Sequence, residues 1–252
     1  MAGAGLRLVV VDHNAAASWN AAYAAGHFRN EPPVSFVKDI VTTARQHGLR
    51  RGLYIGCGNG RNLIPLLDAG LDLIGLDIST EAIAQLHQQR PDRDDHLIVG
   101  DLNVLPDFAQ YDIVVGIQVF QHGTRSQARQ HLSAAAARVA SGGLFCVRVN
   151  ATDSDIGADH DHFEDDSDGS FSVHYFSGPK TGLNIHFFTG SELRNVIGHA
   201  FIEVLPPRLH STPRTPPSHG QWSMWEAIWQ RQPTAGAVGI SSYLDLKLEL
   251  GR

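Results

Sequence analysis

Residues 53–62 read LYIGCGNGRN: the apolar run Leu53-Tyr54-Ile55, then glycines at alternate positions, Gly56, Gly58 and Gly60, then a helical pattern. The apolar run suits a buried strand. Glycines at this spacing permit a tight turn and a close approach of backbone to a ligand at a helix N-terminus. A dinucleotide fingerprint, G-x-G-x-x-G, requires a glycine at position 61. The chain has Arg61 there, so the motif is G-x-G-x-G, and a nicotinamide-dependent reading fails at that position. A loop with no pyrophosphate to cradle fits an adenosine that carries an amino-acid tail.

Further motifs follow in order. Leu63 to Ala69 has a helical pattern closed by Gly70, where a C-terminal cap belongs. The strand-like LDLIGLDIST ends at Asp77, about 20 residues beyond the first glycine, where a carboxylate accepts hydrogen bonds from ribose hydroxyls. LIVGDLNVLP ends a strand at Gly100 and Asp101, YDIVVGIQVFQH runs from Asp112 to Gln118, Gln121 and His122, and ASGGLFCVRVN turns at Ser141, Gly142 and Gly143 into another apolar strand.

With these motifs the chain resembles the class I S-adenosylmethionine-dependent methyltransferases, from about residue 51 to 150 and more weakly to about 230. The resemblance implies an α/β, doubly wound, mostly parallel seven-stranded Rossmann-like sheet with an antiparallel last strand. It adds an N-terminal helix and an insert after strand 5, and puts the final hairpin in FIEVLPPRLH and WSMWEAIWQ, joined by a Pro-rich loop. The implied cofactor is S-adenosyl-L-methionine. Gly56, Cys57, Gly58, Gly60 and Asn62 would surround its loop side, Asp77 with Ile78 its ribose, Asp101 with Leu102 its adenine, and Gln118 its methionine end. One position departs from the family: Tyr54 stands where an acidic residue is usual, so the methionine ammonium must rely on backbone carbonyls near Gly56 and Gln118.

The chain divides into an extension at 1–15, a single domain at 16–232 and a tail at 233–252. Within the domain, 51–150 is the cofactor-binding core and 151–188 an insert on the acceptor side. Trp19, Tyr23 and His27 recur every fourth position and would share a helix face. In the family such a helix lies across the cofactor mouth, which makes Trp19 and Tyr23 candidate contacts; plain amphipathic packing is the other reading. TGSE at 189–192 has capping-box spacing for a helix running to Gly198. In the tail, Leu244, Leu246, Leu248 and Leu250 alternate with polar residues. They read as a strand that extends a sheet edge here or in a second subunit, giving a homodimer, or else as an unstructured tail.

A chain of 252 residues with 42% hydrophobic and 18% charged content suits one soluble α/β domain. A net charge of -6, with no clustered Lys and Arg, argues against a nucleic-acid partner. Cys57 and Cys146 lack neighbours at metal-ligand spacing, and no metal ligand is assigned. LRLVVV, cut by Asp12, is too short for a membrane span or a signal peptide, and the expected location is cytoplasmic.

The insert opens with DSDIGADHDHFEDDSD, with His160 and His162 among the acids. A solvated acidic loop, a lid that attracts a cationic acceptor, and a divalent-metal site all remain open. The following FSVHYFSGPKTGLNIHFFTG reads as a hairpin around Gly178 and Pro179, with His174, Tyr175 and His186 either flooring an acceptor pocket or packing the hairpin.

Methyl transfer from a sulfonium is an in-line displacement in which alignment does much of the work. His122, just past the fourth strand, is the candidate general base, or it braces the loop. Arg148, with Asn150 nearby, would hold an acceptor carboxylate or phosphate, or else pair with an insert acid. Gln118, Val119, Phe120 and Gln121 replace the motif of enzymes that methylate DNA bases. The expected reaction is methylation of an O or N atom of a small molecule. A non-catalytic methyltransferase-like binding subunit for a partner enzyme is the alternative, motivated by Tyr54 and the leucine tail.

Overall fold

The computed structural model describes residues 13–178, 180–215 and 219–233. The leucine-alternating tail, most of the N-terminal extension, Pro179 of the hairpin turn and part of the Pro-rich loop lie outside the described residues.

Leu53–Ile55 and Ile113–Ile117 are buried without interruption, as strands covered on both faces must be. They belong to β1 (Arg51–Ile55) and β4 (Tyr111–Ile117), the centre of a seven-stranded sheet. With β2 (Asp72–Asp77), β3 (Leu97–Val99), β5 (Val139–Asn150), β9 (Phe201–Pro213) and β10 (Gln221–Arg231), the order is β3-β2-β1-β4-β5-β10-β9. The first five strands pair in parallel, with Leu53 beside both Ile74 and Val114. β10 runs antiparallel to its neighbours β5 and β9, in the expected final hairpin. On one face Leu53, Val114, Phe145 and Trp229 pack under α5 (Arg125–Ala137) and α6 (Gly190–Ile197). On the other, Leu73, Val115, Cys146 and Ile228 pack under α2 (Phe36–Gln46), α3 (Leu63–Asp68) and α4 (Thr80–Gln89). Among the described residues, no helix is long and apolar enough to cross a membrane.

Three expectations are corrected. Ser141, Gly142 and Gly143 lie inside β5 rather than before it, and the sheet absorbs them as an irregularity that pairs Tyr111 with Val139 but Ile113 with Leu144. The N-terminal helix, α1 (His13–Ala24), stops before His27 because Gly26 enters the left-handed region at φ 80°. His27 therefore leaves the aromatic face, and Phe28 replaces it.

The third correction concerns the acidic insert, which is not a solvated loop. His160–Asp165 forms β6, the edge of a small antiparallel sheet with β7 (Phe171–Tyr175) and β8 (Asn184–Phe187). Three of its acids have a partner in Arg125, whose guanidinium donates to Asp166 at 2.7 Å and Asp168 at 3.0 Å, and whose backbone N–H donates to Glu164 at 2.8 Å. Among the described residues, no group of three or more His, Cys, Asp or Glu side chains could hold a metal ion.

The same guanidinium reaches Glu192, in TGSE. Thr189 caps α6 as the spacing implies, accepting from the Glu192 N–H at 3.1 Å. The Glu192 carboxylate is fully buried, and accepts from Arg125 Nε at 2.9 Å while its other oxygen lies 2.9 Å from His186 Nε2. His186 Nδ1 in turn lies 2.9 Å from the Ser172 hydroxyl. One carboxylate thus joins α5, α6 and the insert sheet. Removing one partner of a buried ionic pair typically costs about 3–5 kcal/mol, so Glu192→Ala should lower the unfolding free energy by about that much in urea titration, with Glu192→Gln intermediate.

Candidate active site

The glycine loop leaves β1 under backbone control. Gly56 and Cys57 both donate to the Leu76 carbonyl, at 2.7 and 3.1 Å. Gly56 has φ 69°, and a Cβ there would lie 2.5 Å from Val119 Cγ2, so both conformation and space require glycine. Gly58, at φ 55°, donates to Asp77 Oδ2 at 2.7 Å, and the Ser79 N–H donates to Asp77 Oδ1 at 2.9 Å. Burial pushes the Asp77 carboxyl up, opposed by those two N–H groups.

Helix α1 is tied over this loop. Asn20 Oδ1 accepts from the Ser79 hydroxyl at 2.7 Å and the Glu81 N–H at 3.1 Å, and Gln85 donates to the Tyr23 carbonyl at 3.1 Å. These bonds seat the Tyr23 hydroxyl where a Gly58 side chain would begin. Trp19 lies edge-on to His122 with ring centroids 5.3 Å apart, and Phe28 closes the cluster 6.0 Å from Trp19 and 5.7 Å from Tyr23.

Beneath α1 runs a cavity of about 2020 Å³. Single-ligand pockets are usually roughly 300–1,000 Å³, so there is room for a nucleoside-sized molecule and a second one. Trp19, Tyr23, Gly56, Cys57, Gly58, Asn62, Asp77, Ile78, Asp101, Leu102, Gln118, His122 and Arg148 all line it. Gly60 does not; at φ 95° it turns the chain behind the wall, against Leu86 and Ile64. Asn62 accepts from the Val34 N–H at 3.0 Å and hydrogen-bonds the buried Tyr54 hydroxyl, so it holds the wall. Asp101 caps the short turn at 102–104 through the Asn103 N–H at 2.9 Å. Gln118 adopts φ 59°, rare for a residue with a side chain, and donates its N–H to the Arg148 carbonyl at 2.7 Å.

The far end of the cavity departs from expectation. The Arg148 ion pair is with Glu226 on β10, Nε to Oε1 at 3.0 Å, not with an insert acid. Glu226 also holds Arg208 at 2.9 Å. Of the three aromatic candidates in the hairpin only Tyr175 faces the cavity, since His174 bonds Asn184 at 2.7 Å and His186 is buried against Glu192. Sequence reasoning missed Phe28, the 31–35 rim with its Glu31–Arg61 ion pair at 2.7 Å, and Lys180, Arg214 and Trp222. Pro32-Pro33 was the only local signal for the rim. None marked the others: Phe28 follows α1, and Lys180, Arg214 and Trp222 converge from a hairpin turn and the β9–β10 end.

The comparisons agree with this geometry. Residues 53–145 match the family described as methyltransferase domain. The Burkholderia thailandensis 1,6-didemethyltoxoflavin-N1-methyltransferase, solved with 1,6-didemethyltoxoflavin and S-adenosylhomocysteine, is similar in structure at 16% identity, TM-score 0.57, over 89% of this chain and 92% of that one. The Synechocystis magnesium protoporphyrin IX methyltransferase with bound S-adenosylmethionine is similar at 16% identity, TM-score 0.57, over 90% and 99%. An amino pentose methyltransferase of calicheamicin biosynthesis from Micromonospora echinaspora is similar at 16% identity, TM-score 0.53, over 84% and 97%. No curated protein sequence matches.

His122 is partly buried, and that burial first, then Lys180 and His131, push its imidazole down to about 3, against a hydrogen bond to the Gln118 backbone. Unfolding returns it to about 6.5, so the unfolded chain binds the extra proton between those values and stability falls as pH drops through them. At pH 7 and above this histidine contributes nothing. Between pH 7 and 5 the wild type should lose about 1–2 kcal/mol more unfolding free energy than His122→Gln, read by urea titration at both pH values.

Proposed function

We propose that this chain, whose residues 53–145 match a methyltransferase domain, is a class I S-adenosylmethionine-dependent methyltransferase that transfers a methyl group to an O or N atom of a small-molecule acceptor. The observation that carries the reading is the continuous cavity, which joins the glycine loop and Asp77 at one end to His122, Tyr175 and Trp222 at the other. The residues at the first end suit the cofactor. Each Asp77 oxygen holds a single backbone N–H, leaving lone pairs for ribose hydroxyls. Gly56 and Gly58 let the chain approach the ligand closely. Asp101 and Leu102 would take the adenine, and Gln118 the methionine end.

S-adenosylmethionine supplies an electrophilic methyl group, which leaves the protein to align the acceptor and exclude water. Trp19, Tyr23 and Phe28 roof the site and keep it dry. His122 is neutral at pH 7 and accepts a hydrogen bond from the acceptor hydroxyl or amine, which points its lone pair at the methyl. Its depressed basicity suits a phenol or an already neutral amine better than an alcohol. Arg148, held by Glu226, buttresses the strand end beside Gln118.

Calorimetric titration with S-adenosylhomocysteine tests the cofactor end. The folded wild type should bind it and not NAD. Asp77→Asn, which removes charge-assisted hydrogen bonds of about 1.5–3 kcal/mol, should weaken binding roughly 10- to 100-fold. Failure of folded wild type to bind would overturn the reading.

A further inference from the structure

Among the described residues, the acceptor end of the cavity carries cations and unpaired donors and no carboxylate lines it. Among the described residues, the carboxylates that line the cavity are Glu31, Asp77 and Asp101, all at the cofactor end, and Glu31 is paired with Arg61. The insert acids face elsewhere: Asp166 and Asp168 bind Arg125, and Asp155 accepts from the Gln221 N–H at 2.8 Å.

Two cations meet at one indole. The Arg214 guanidinium carbon lies 3.8 Å from the Trp222 ring centroid and Lys180 Nζ 5.0 Å from it, with Lys180 also 5.5 Å from the Tyr175 ring. Arg214 donates one Nη2–H to the Asp155 backbone carbonyl. Its Nε and the Tyr175 hydroxyl are buried and have no hydrogen-bond partner among the described residues. Aromatic faces attract these cations but accept no directional hydrogen bonds from them in the plane of the fork. Burial, reinforced by Arg214, pushes the Lys180 ammonium down to about 8, as expected of a charge that lacks its counter-ion. Two like charges held together around unsatisfied donors form a site that an anion would complete.

We infer that the methyl acceptor is an anion, a small molecule whose carboxylate or phosphate is held by Lys180, Arg214 and Tyr175 while its nucleophilic atom points toward His122. Calling the bound molecule the acceptor rests on the methyl-transfer reading above; the anion site itself does not. The cationic-acceptor lid considered from the acidic sequence would require carboxylates on this wall, and among the described residues none lines it.

The test uses the full chain and matched probes built on phenol, naphthol and hydroxyindole rings. Each ring carries a carboxylate, a carboxamide or an aminomethyl group, and a phosphate ester of the same ring separates phosphate from carboxylate recognition. Affinities are measured by calorimetry with and without S-adenosylhomocysteine. The expected result is that in at least one series the anion binds about tenfold or more tighter than the amide, and the amine weakest. Lys180→Met and Arg214→Gln should each remove most of that preference, while Lys180→Arg keeps it; circular dichroism verifies that each variant is folded. Absence of anion preference in every series, or a preference unchanged in both Lys180→Met and Arg214→Gln, would overturn the inference. Anion binding without S-adenosylhomocysteine binding would sink the methyltransferase reading and leave the anion site standing.

Discussion

The Asp77 carboxylate is the constraint on which the site depends. One oxygen fixes the Gly58 N–H and the other the Ser79 N–H, so a single side chain at the end of β2 sets both the glycine loop and the start of α4. Ser79 then caps α4 through the Ala82 N–H and donates its hydroxyl to Asn20. The roof helix α1 is therefore registered, through two bonds, to this carboxylate. Charge at position 77 matters because backbone N–H groups bind an ionised acceptor more strongly than a neutral one.

A second carboxylate organises the opposite end. Glu192 is fully buried, and it is tolerable there because Arg125 and His186 surround it. By drawing Arg125 inward it also gathers Asp166 and Asp168 onto one guanidinium. This sorting takes acid away from the far wall of the cavity, where Lys180 and Arg214 stand against Trp222. An acidic chain thus presents a locally basic pocket, which net charge alone would not suggest.

Local rules explain what could be read in advance. Strands buried on both faces read as apolar runs, and Gly56, Asp77 and Asp101 sit where parallel strands end, which is where ligands of such sheets bind. The cap at Thr189 follows from short-range spacing, and the hairpin of β9 and β10 from the family resemblance. Other features resisted because they depend on distant partners. TGSE predicts a helix start but cannot show that Glu192 turns inward to an arginine 67 residues away. The period that joins Trp19, Tyr23 and His27 holds only while a helix continues, and Gly26 ends it.

The sequence by itself determined the sheet, the order of its strands' motifs and the glycine-loop end of the cavity, because those depend on burial periodicity, glycine geometry and residues close in the chain. Tertiary structure alone decided what Arg148 and the insert acids pair with, that Gly60 sits behind the wall, and that Lys180, Arg214, Tyr175 and Trp222 converge. Those outcomes come from long-range closure of β10 onto β5 and of the insert onto α5, and electrostatic pairing follows proximity in space, which local sequence does not encode.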